Sequence, residues 1–409
     1  MDYHVAVRVF DPERDCPGVE AVETICDVGT GKVSLFTDLL GDPTSRIRHT
    51  PASLMLVAEG FNGIDADEKG EEENEKEKEI VGLIRGCIKT VTCGAKTFRK
   101  GKPPSPIYTK IAYTLGLRVS PGFRRRGIAL KLVIAMEKWS KSMGADYAYM
   151  ATSNGNEPSL RLFTDRCGYT QFRTPDILVH PVFAHRLRSG SYSSKTNIVE
   201  LSPSDAEILY RLRFSTTEFF PCDIDSVLHN PLSLGTFLAF NASYVWPGTA
   251  SAFLIDPPES WAVVSVWNSK DVFRLQIRGC SRVKRGLAKT TRVFDKAFPW
   301  LRIPSIPNLF RPFGFYFLYG MGGEGPDTHK MVTALCSHAH NMAMDGGCGV
   351  VVTEVASSEP LRDGIPHWKR LSLSGDVWCL KRLCDGDGEV GDWTKSISGP
   401  SIFVDPRDL

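Results

Sequence analysis

The chain lacks the features that mark membrane and secreted proteins. No apolar run approaches the roughly eighteen residues that a membrane-spanning helix needs. The first five residues lack the basic and apolar regions of a secretory signal. The eleven cysteines are odd in number and have no paired spacing, which favours reduced thiols. We therefore expect the protein in the nucleus or the cytoplasm, neither secreted nor bound to a membrane.

A strong net charge is also missing. The 49 Lys and Arg residues nearly balance the 47 Asp and Glu residues, so the net charge of +2 requires neither a nucleic acid nor a membrane as partner. The charge is unevenly distributed, however. An acidic run between residues 62 and 79 has no apolar face to bury, and we predict that it is a disordered loop joining two paired strands.

The length of 409 residues favours two or three domains. Segment 186–197 is polar, with Ser and Gly prominent, and is the clearest candidate for a linker. We therefore place a first domain at residues 5–185, a linker at 186–197, a second domain at 198–385 and a C-terminal tail at 386–409.

Hydrophobic patterning between residues 107 and 172 predicts an α/β layer. A strand at 107–119 is followed by a turn, an amphipathic helix at 128–143 and another strand at 147–151. Leu130, Val133 and Met136 share the apolar face of the helix. A second helix and a further strand follow, so the order predicts a mixed central sheet flanked by helices.

The second half repeats this pattern weakly. At a constant offset of 202 residues, Glu157-Pro158 aligns with Glu359-Pro360, and Gly144 aligns with Gly346. We interpret this as two related α/β domains. The alternative is a C-terminal α+β domain of separate origin.

The turn at residues 124–129 carries the chemistry. It reads Arg-Arg-Arg-Gly-Ile-Ala and lies between a strand and the N-terminus of a helix. A helix N-terminus presents unpaired N–H groups and roughly half a positive charge. The glycine lets a ligand approach the backbone, and the arginines add charged donors. These features predict a cradle for a diphosphate; a solvated basic turn is the alternative.

This turn resembles the acetyl-CoA motif of the GNAT N-acetyltransferases, Gln/Arg-x-x-Gly-x-Gly/Ala. The likeness extends to the strand before it, the helix after it and the segment 156–169. The resemblance implies the GNAT acyltransferase fold, an α/β (α+β) class, with a degenerate GNAT-like second domain, and acetyl-CoA as co-substrate without a metal. It implies cofactor contacts from Leu117, Val119, Arg124, Arg125, Arg126, Gly127, Ile128, Ala129, Asn156, Ser159 and Phe163.

A narrower resemblance covers nearly the whole chain. The order of segments, the acidic insertion and the stretches 163–169, 172–175 and 179–181 are similar to the plant HOOKLESS-like N-acetyltransferases. That resemblance implies a role in growth controlled by light and by hormones such as ethylene and auxin. It also implies nuclear action on chromatin or on transcription regulators.

Acetyl transfer needs a neutral amine. At pH 7 deprotonation costs a lysine side chain about 4.6 kcal/mol and an α-amine about 1.1 kcal/mol, so a lysine acetyltransferase needs a good base. The strand at 107–119, where the resemblance places the base, contains no carboxylate. Tyr113, acting through water, and Glu59 are the candidate catalytic residues. A packed aromatic is the simpler interpretation of Tyr113, and His49 is a further, weaker candidate.

A general acid is missing as well. Many GNAT enzymes place a tyrosine near the leaving thiolate, whereas this chain has Phe163 there. Thr164 takes that place if the alignment shifts by the one residue by which the segment is longer. In the second half the corresponding turn has no arginine, and Glu324 and Asp327 would repel a diphosphate. We therefore expect the second domain to be structural or to line the substrate site without binding CoA.

Two other patterns have simple explanations. Residues 270–311 contain eleven Lys or Arg against two acids, which indicates either an interaction surface or, as we prefer, a solvated helix face. Cys336, His338 and His340 have the spacing of metal ligands but no complete set, so we predict ordinary packing and no metal.

Three functions remain open. The first is acetylation of a protein or peptide amine, with a histone or a transcription regulator as acceptor. The second is a GNAT-fold scaffold that acts through protein partners, and the third is acetylation of a small amine. Two domains and long charged loops favour the first over the third. We expect neither a membrane nor nucleic acid as a direct ligand, while crossover-rich domains permit homo-oligomers without requiring them.

Overall fold

The computed structural model describes residues 3–26, 34–62, 78–96, 104–188, 196–384 and 391–409. These residues form a seven-stranded sheet, a six-stranded sheet and a two-stranded ribbon. The strands are β1 (Tyr3–Val9), β2 (Ser34–Asp38), β3 (Ala52–Asn62), β4 (Glu79–Lys96), β5 (Ser105–Val119), β6 (Tyr147–Ser153), β7 (Thr170–Arg173), β8 (Asp176–Pro181), β9 (Thr196–Leu201), β10 (Ser233–Asn241), β11 (Trp261–Asn268), β12 (Arg274–Arg278), β13 (Phe315–Glu324), β14 (Val350–Val355) and β15 (Asp376–Arg382).

The helices lie between these strands. They are α1 (Pro12–Ile25), α2 (Ile128–Ser142), α3 (Glu157–Arg161), α4 (Pro203–Arg213), α5 (Ile224–Leu228), α6 (Ala250–Ile255), α7 (Arg282–Ala297) and α8 (Thr328–Asp345). Across the described ranges, none of them combines the length and apolarity that crossing a bilayer would need.

The first sheet has the order β1-β3-β4-β5-β6-β15-β7 and is mixed, as predicted. Its β5 and β6 run parallel, while the other neighbours are antiparallel. Helix α2 covers one face, where Val133 and Met136 are buried. Helix α1 lies against β4 and β5, and it begins where the Asp11 side chain accepts a hydrogen bond from the Glu13 N–H.

Long strands flank the acidic run. β3 and β4 pair antiparallel, so the predicted pairing is confirmed, and β4 continues to Lys96 before β5 returns from Ser105. The acidic run predicted to be a disordered loop lies largely outside the described residues. From residue 81 to 89 both faces of β4 are buried, as a central strand requires.

The second sheet, ordered β8-β14-β13-β11-β10-β9, repeats the first. In both halves a parallel strand pair extends over only four residues, 111–114 with 147–150 and 315–318 with 350–353. Each is followed by a glycine with φ = +61°, Gly116 and Gly320, opposite a shift in strand register. The two glycines are 204 residues apart, close to the predicted offset, so the internal repeat is confirmed.

The two halves exchange strands, which the sequence did not reveal. β8 precedes the predicted linker but pairs with β14 of the second sheet. β15 belongs to the second half in sequence but lies between β6 and β7 of the first sheet. The predicted boundary therefore separates the halves in sequence, while the sheets themselves cross it.

The predicted C-terminal tail needs a correction. Within residues 391–409, Trp393, Phe403 and Val404 are buried in the hydrophobic core that both sheets share. The Glu218 carboxylate accepts hydrogen bonds from Trp393 Nε1 over 2.8 Å and from Arg173 over 2.7 Å, and so joins this segment to both halves. The segment is part of the core because its aromatic side chains are removed from water there.

Candidate functional site

The pairing of β5 with β6 ends before either strand does, and we call the gap beyond it the cleft. After the pair Thr114–Met150 the two strands diverge, although β5 stays paired to β4 as far as Val119 and β6 to β15 as far as Ser153. Among the described residues, 115–119 therefore have no strand partner on the β6 side, although the Leu117 carbonyl accepts a hydrogen bond from Arg118 and the Val119 carbonyl accepts one from Arg124. The remaining backbone polar groups on this edge are open to a ligand. Leu117 and Val119, two predicted cofactor contacts, are partly exposed along the cleft.

A β-bulge at Gly116 opens the cleft. A side chain would be strained at its φ of +61°, and a Cβ there would lie 2.6 Å from Arg85 Nη1. Arg85 is buried and donates hydrogen bonds to Glu23 Oε1 over 2.8 Å and to the Pro43 carbonyl over 2.6 Å. The bulge is thus held in place from the α1 side of the sheet.

The predicted cradle follows β5. Arg125 and Gly127 both have positive φ, +62° and +77°, and Gly127 is the N-cap of α2. The Gly127 carbonyl accepts the first helical hydrogen bond, from Lys131, over 3.0 Å. In the described part of the chain the N–H groups of residues 127–130 have no acceptor. A Cβ on Gly127 would meet no atom within 4 Å, so a ligand can reach these donors.

The three arginine side chains of this turn are exposed. Arg124 Nε donates to the Val119 carbonyl over 3.2 Å and so ties the turn to the end of β5. The Arg126 guanidinium lies 5.2 Å from the centre of the Phe123 ring. Unpaired donors and cationic side chains therefore coincide at the mouth of the cleft, as an anion site requires.

The segment after β6 reaches the other side of the cleft. Asn156 Nδ2 donates to Thr152 Oγ1 on β6 over 3.0 Å, and Ser159 is partly exposed in the first turn of α3. Residues 162–166 form a π-helical turn. Such a turn accommodates one additional residue in a helix, which explains the extra length seen in the sequence.

Neither candidate position for a general acid contains a phenol. Phe163 is 1% exposed and packs edge-to-face on Tyr169, with ring centres 5.1 Å apart. Its ring therefore lies in the core, and its burial does not support the predicted contact with the cofactor. Thr164 Oγ1 donates to the Leu160 carbonyl over 2.9 Å.

The two predicted catalytic residues are far apart. Tyr113 is buried beside the cleft and stacks on Tyr149 with ring centres 4.5 Å apart, and burial raises its pKa well above the usual range. Glu59 accepts a hydrogen bond from Arg8 over 2.8 Å, which lowers the pKa of the carboxyl. Tyr113 lies level with Ser53 in the strand register, six residues before Glu59. At roughly 3.4 Å per residue, Glu59 is therefore about 20 Å from the level of Tyr113 along the sheet. The weaker candidate His49 packs against Trp267.

Comparison with known proteins decides the family. The Acetyltransferase (GNAT) family profile matches residues 65–169, which include the bulge, the cradle and α2. The chain is 59% identical to "Probable N-acetyltransferase HLS1" from Arabidopsis thaliana, over 98% of this chain and 99% of that protein. The chain belongs to the GNAT acetyltransferase family. It is also 58% identical, over the whole of both chains, to "Probable N-acetyltransferase HLS1-like" from the same plant.

A solved structure supports the fold. The GCN5-related glucosamine N-acetyltransferase region of a fungal multi-domain GH3 β-N-acetylglucosaminidase superposes with a TM-score of 0.52 at 11% identity. The match covers 93% of this chain and 38% of that chain. Membership of the GNAT family implies acetyl-CoA as acetyl donor.

The second half supplies two carboxyl groups near the end of β6, which the sequence does not indicate. Asp376 on β15 pairs with Ser153 at the end of β6. Glu354 on β14 accepts a hydrogen bond from Trp378 Nε1 over 3.0 Å. Burial raises the pKa of Glu354 to about 8 and that of Asp376 to about 6. No local pattern could reveal them, since Asp376 reaches β6 only through the exchanged strand β15, and Glu354 is joined to that strand only by its hydrogen bond from Trp378.

The second GNAT-like turn is closed where the first is open. Gly325 has φ = +99°, and a Cβ on it would lie 1.9 Å from a neighbouring carbonyl oxygen. The Asp327 N–H donates to Ser260 Oγ over 3.1 Å, and the Thr328 N–H donates to the Gly325 carbonyl over 3.3 Å. The turn carries the carboxylates of Glu324 and Asp327, which are paired with Arg213 over 3.4 Å and with Lys330 over 2.7 Å. The three adjacent arginines of the first turn therefore have no counterpart here.

The Cys-x-His-x-His pattern lies on α8. His340 is buried, and its Nε2 accepts a hydrogen bond from the Phe183 N–H over 2.8 Å. His338 packs against Phe237, with ring centres 4.6 Å apart. Among the residues with described positions, no three potential ligands are grouped closely enough to hold a metal ion.

Proposed function

We propose that the first half binds acetyl-CoA between β5 and β6 and transfers the acetyl group to an amine of a protein or peptide. The observation that supports this most strongly is the open helix N-terminus of α2 beside a cleft with unpaired strand edges. The pyrophosphate would accept hydrogen bonds from the N–H groups of residues 127–129 and would be neutralised by Arg124, Arg125 and Arg126. The pantetheine arm would lie along residues 115–119 in place of a strand.

Direct attack fits this geometry. The amine and the thioester would be held side by side in one cleft, and such positioning supplies a large part of the acceleration in transfer reactions. The C–N bond forms as the C–S bond breaks, and the CoA thiolate, with a pKa near that of a free thiol of about 8.5, leaves without a strong acid. The lack of a phenol at Phe163 and Thr164 is compatible with this route.

A macromolecular acceptor is part of the proposal. The two halves share strands around the cleft, and charged segments flank the β3–β4 and β4–β5 connections. These features suit a large, charged acceptor such as a histone or a transcription regulator. A nuclear role in hormone- and light-controlled growth is also proposed, and it rests on the HOOKLESS-like resemblance alone.

The second half would not bind CoA in this account. The N–H groups of Asp327 and Thr328 in its turn already have acceptors, and Glu324 and Asp327 stand in the turn without adjacent arginines. Its function would be to supply β15 and the segment 391–409 to the shared core, and to line the acceptor side of the first cleft.

A second candidate function is a GNAT-fold scaffold that acts through protein partners. The observation favouring it is an apolar surface on and after α7, where Val283 is 81% and Trp300 69% exposed, next to the basic side chains of Arg282, Lys289 and Lys296. Such a surface is typical of protein contacts.

Calorimetry followed by acceptor assays tests the proposal. We expect one acetyl-CoA molecule to bind per chain, and we expect acetylation of histones or lysine-containing peptides in preference to spermine. A chain that binds no acetyl-CoA would support the scaffold, and a preference for spermine would support a small-amine acetyltransferase.

A further inference from the structure

Among the described residues of the first half, neither predicted catalytic residue can serve as a proton acceptor in the cleft. Burial raises the pKa of Tyr113 well above the usual range, so this phenol stays protonated at neutral pH. Glu59 accepts a hydrogen bond from Arg8 and lies far from Tyr113 along the sheet. A lysine acceptor must nevertheless lose a proton, at a cost of about 4.6 kcal/mol at pH 7. A base from elsewhere in the chain would remove this handicap.

The exchanged strand β15 carries polar groups to the acceptor side of the cleft. Asp376 lies opposite Ser153, just beyond the point where β5 and β6 separate. Asp376 and Trp378 point to the same side of the sheet because alternate residues of a strand share a face. Trp378 packs on Tyr149 there, with ring centres 5.5 Å apart. Its Nε1 donates to Glu354 over 3.0 Å, which places that carboxyl on the same side.

Glu354 and Asp376 lie close enough for the charge of Asp376 to raise the pKa of Glu354. Neither has an ion-pair partner within the described ranges, whereas Asp408, which also acts on Glu354, is paired with Lys89. Both Glu354 and Asp376 remain partly exposed, and both act electrostatically on Tyr113. An ammonium group of the acceptor would be attracted to this pair.

We propose that Glu354 is the general base of the first-half site, an inference that rests on the proposed acetyl transfer. The Glu354 carboxylate takes one proton from the acceptor ammonium, and the neutral amine attacks the thioester carbon. The C–N bond forms, and the C–S electron pair leaves with sulfur as the CoA thiolate. The second amine proton passes to the thiolate, which yields CoA thiol, and Glu354 returns its proton to water.

The pKa values of Glu354 and Asp376 suit Glu354 to the role of general base. Burial and, next, repulsion by Asp376 raise the pKa of Glu354 to about 8, while the Trp378 hydrogen bond opposes the rise. The ionised fraction of Glu354 therefore increases from about one in ten at pH 7 to most of the molecules above pH 8. Asp376, with a pKa near 6, is already ionised at neutral pH and keeps Glu354 basic.

The test compares two acceptors in Glu354→Gln: poly-L-lysine, whose amines are protonated at pH 7, and hydroxylamine, which is already neutral. We expect acetylation of poly-L-lysine to fall by about 100-fold or more, the usual contribution of a general base, while acetylation of hydroxylamine stays near wild type. The rise of the poly-L-lysine rate toward pH 8 should vanish in Glu354→Gln. In Asp376→Asn it should move to lower pH because a neighbouring negative charge is removed.

Glu359→Gln is the matched control, since Glu359 is also a glutamate with a raised pKa, but it lies beside the second-half turn. It should leave the ratio of the two rates unchanged. Equal loss of both activities in Glu354→Gln, or an unchanged pH profile, would overturn the assignment while leaving the transferase proposal intact. A wild-type protein that binds acetyl-CoA but acetylates neither probe would overturn the proposed function, and the assignment with it.

Discussion

The two helix N-termini that begin α2 and α8 occupy equivalent places in the two halves, yet their chemistry is opposite. In the first, the N–H groups of residues 127–130 have no acceptor among the residues with described positions, and three arginines lie beside them. In the second, Ser260 and the Gly325 carbonyl satisfy the donors and the charged side chains include Glu324 and Asp327. The backbone of a GNAT-like half is therefore not sufficient for a cofactor site; open donors and positive charge are needed as well.

The largest expected effect comes from reversing the charge of the first turn. The double substitution Arg126→Glu with Gly127→Asp adds two negative charges at the proposed pyrophosphate site. We expect acetyl-CoA affinity to fall by at least about 100-fold, or roughly 3 kcal/mol, in calorimetry. The far-UV circular dichroism spectrum should be unchanged, since both positions are exposed. Unaltered affinity would show that the cradle is elsewhere.

Replacing a glycine by alanine in each turn should separate effects on acetyl-CoA affinity from effects on the free energy of unfolding. Gly325→Ala places a Cβ 1.9 Å from a carbonyl oxygen, and we expect it to lower the free energy of unfolding by about 2–4 kcal/mol without changing acetyl-CoA affinity in the folded fraction. Gly127→Ala meets no neighbouring atom, so its strain at φ = +77° should cost only about 1 kcal/mol.

The affinity for acetyl-CoA is the second property to measure in these two variants. Gly127→Ala puts a methyl group where the cofactor would approach, and we expect acetyl-CoA to bind about tenfold more weakly. Urea titrations and calorimetry on both variants measure the two effects. A pattern in which Gly325→Ala weakens binding more than Gly127→Ala would reverse the roles of the two halves.

The smallest expected effect tests whether the second turn contributes to acetyl-CoA binding. Glu324 is exposed and lies outside the proposed site, so Glu324→Ala should leave acetyl-CoA affinity unchanged within about 0.5 kcal/mol. Calorimetry under the same buffer conditions as for the cradle variants gives the comparison. A large change in either direction would indicate that the second turn contacts the cofactor.

Local features of the site could be predicted from the sequence because they depend on neighbouring residues. The turn 124–129 and helix α2 both follow from patterns within a few residues. Strand β13 is different: it passes through the glycines at 320–323 and continues to Glu324, with a bulge at Gly320.

The parts that could not be predicted depend on contacts between distant residues. β15 pairs with β6 although more than 200 residues separate them in sequence. Asp376 and Glu354 therefore lie near the end of β6, and no neighbouring residue in the sequence indicates this. The burial of residues 391–409 is another such case. Sequence patterns identify which segments form strands, but they do not show which of two similar sheets a strand joins.

The most direct test of the central claim is a structure determined with CoA bound. The account predicts a single CoA molecule whose pyrophosphate accepts hydrogen bonds from the backbone of residues 127–129 and whose pantetheine lies between β5 and β6. Pyrophosphate density at the N-terminus of α8, or a CoA molecule held only by side chains outside the β5–β6 cleft, would contradict it.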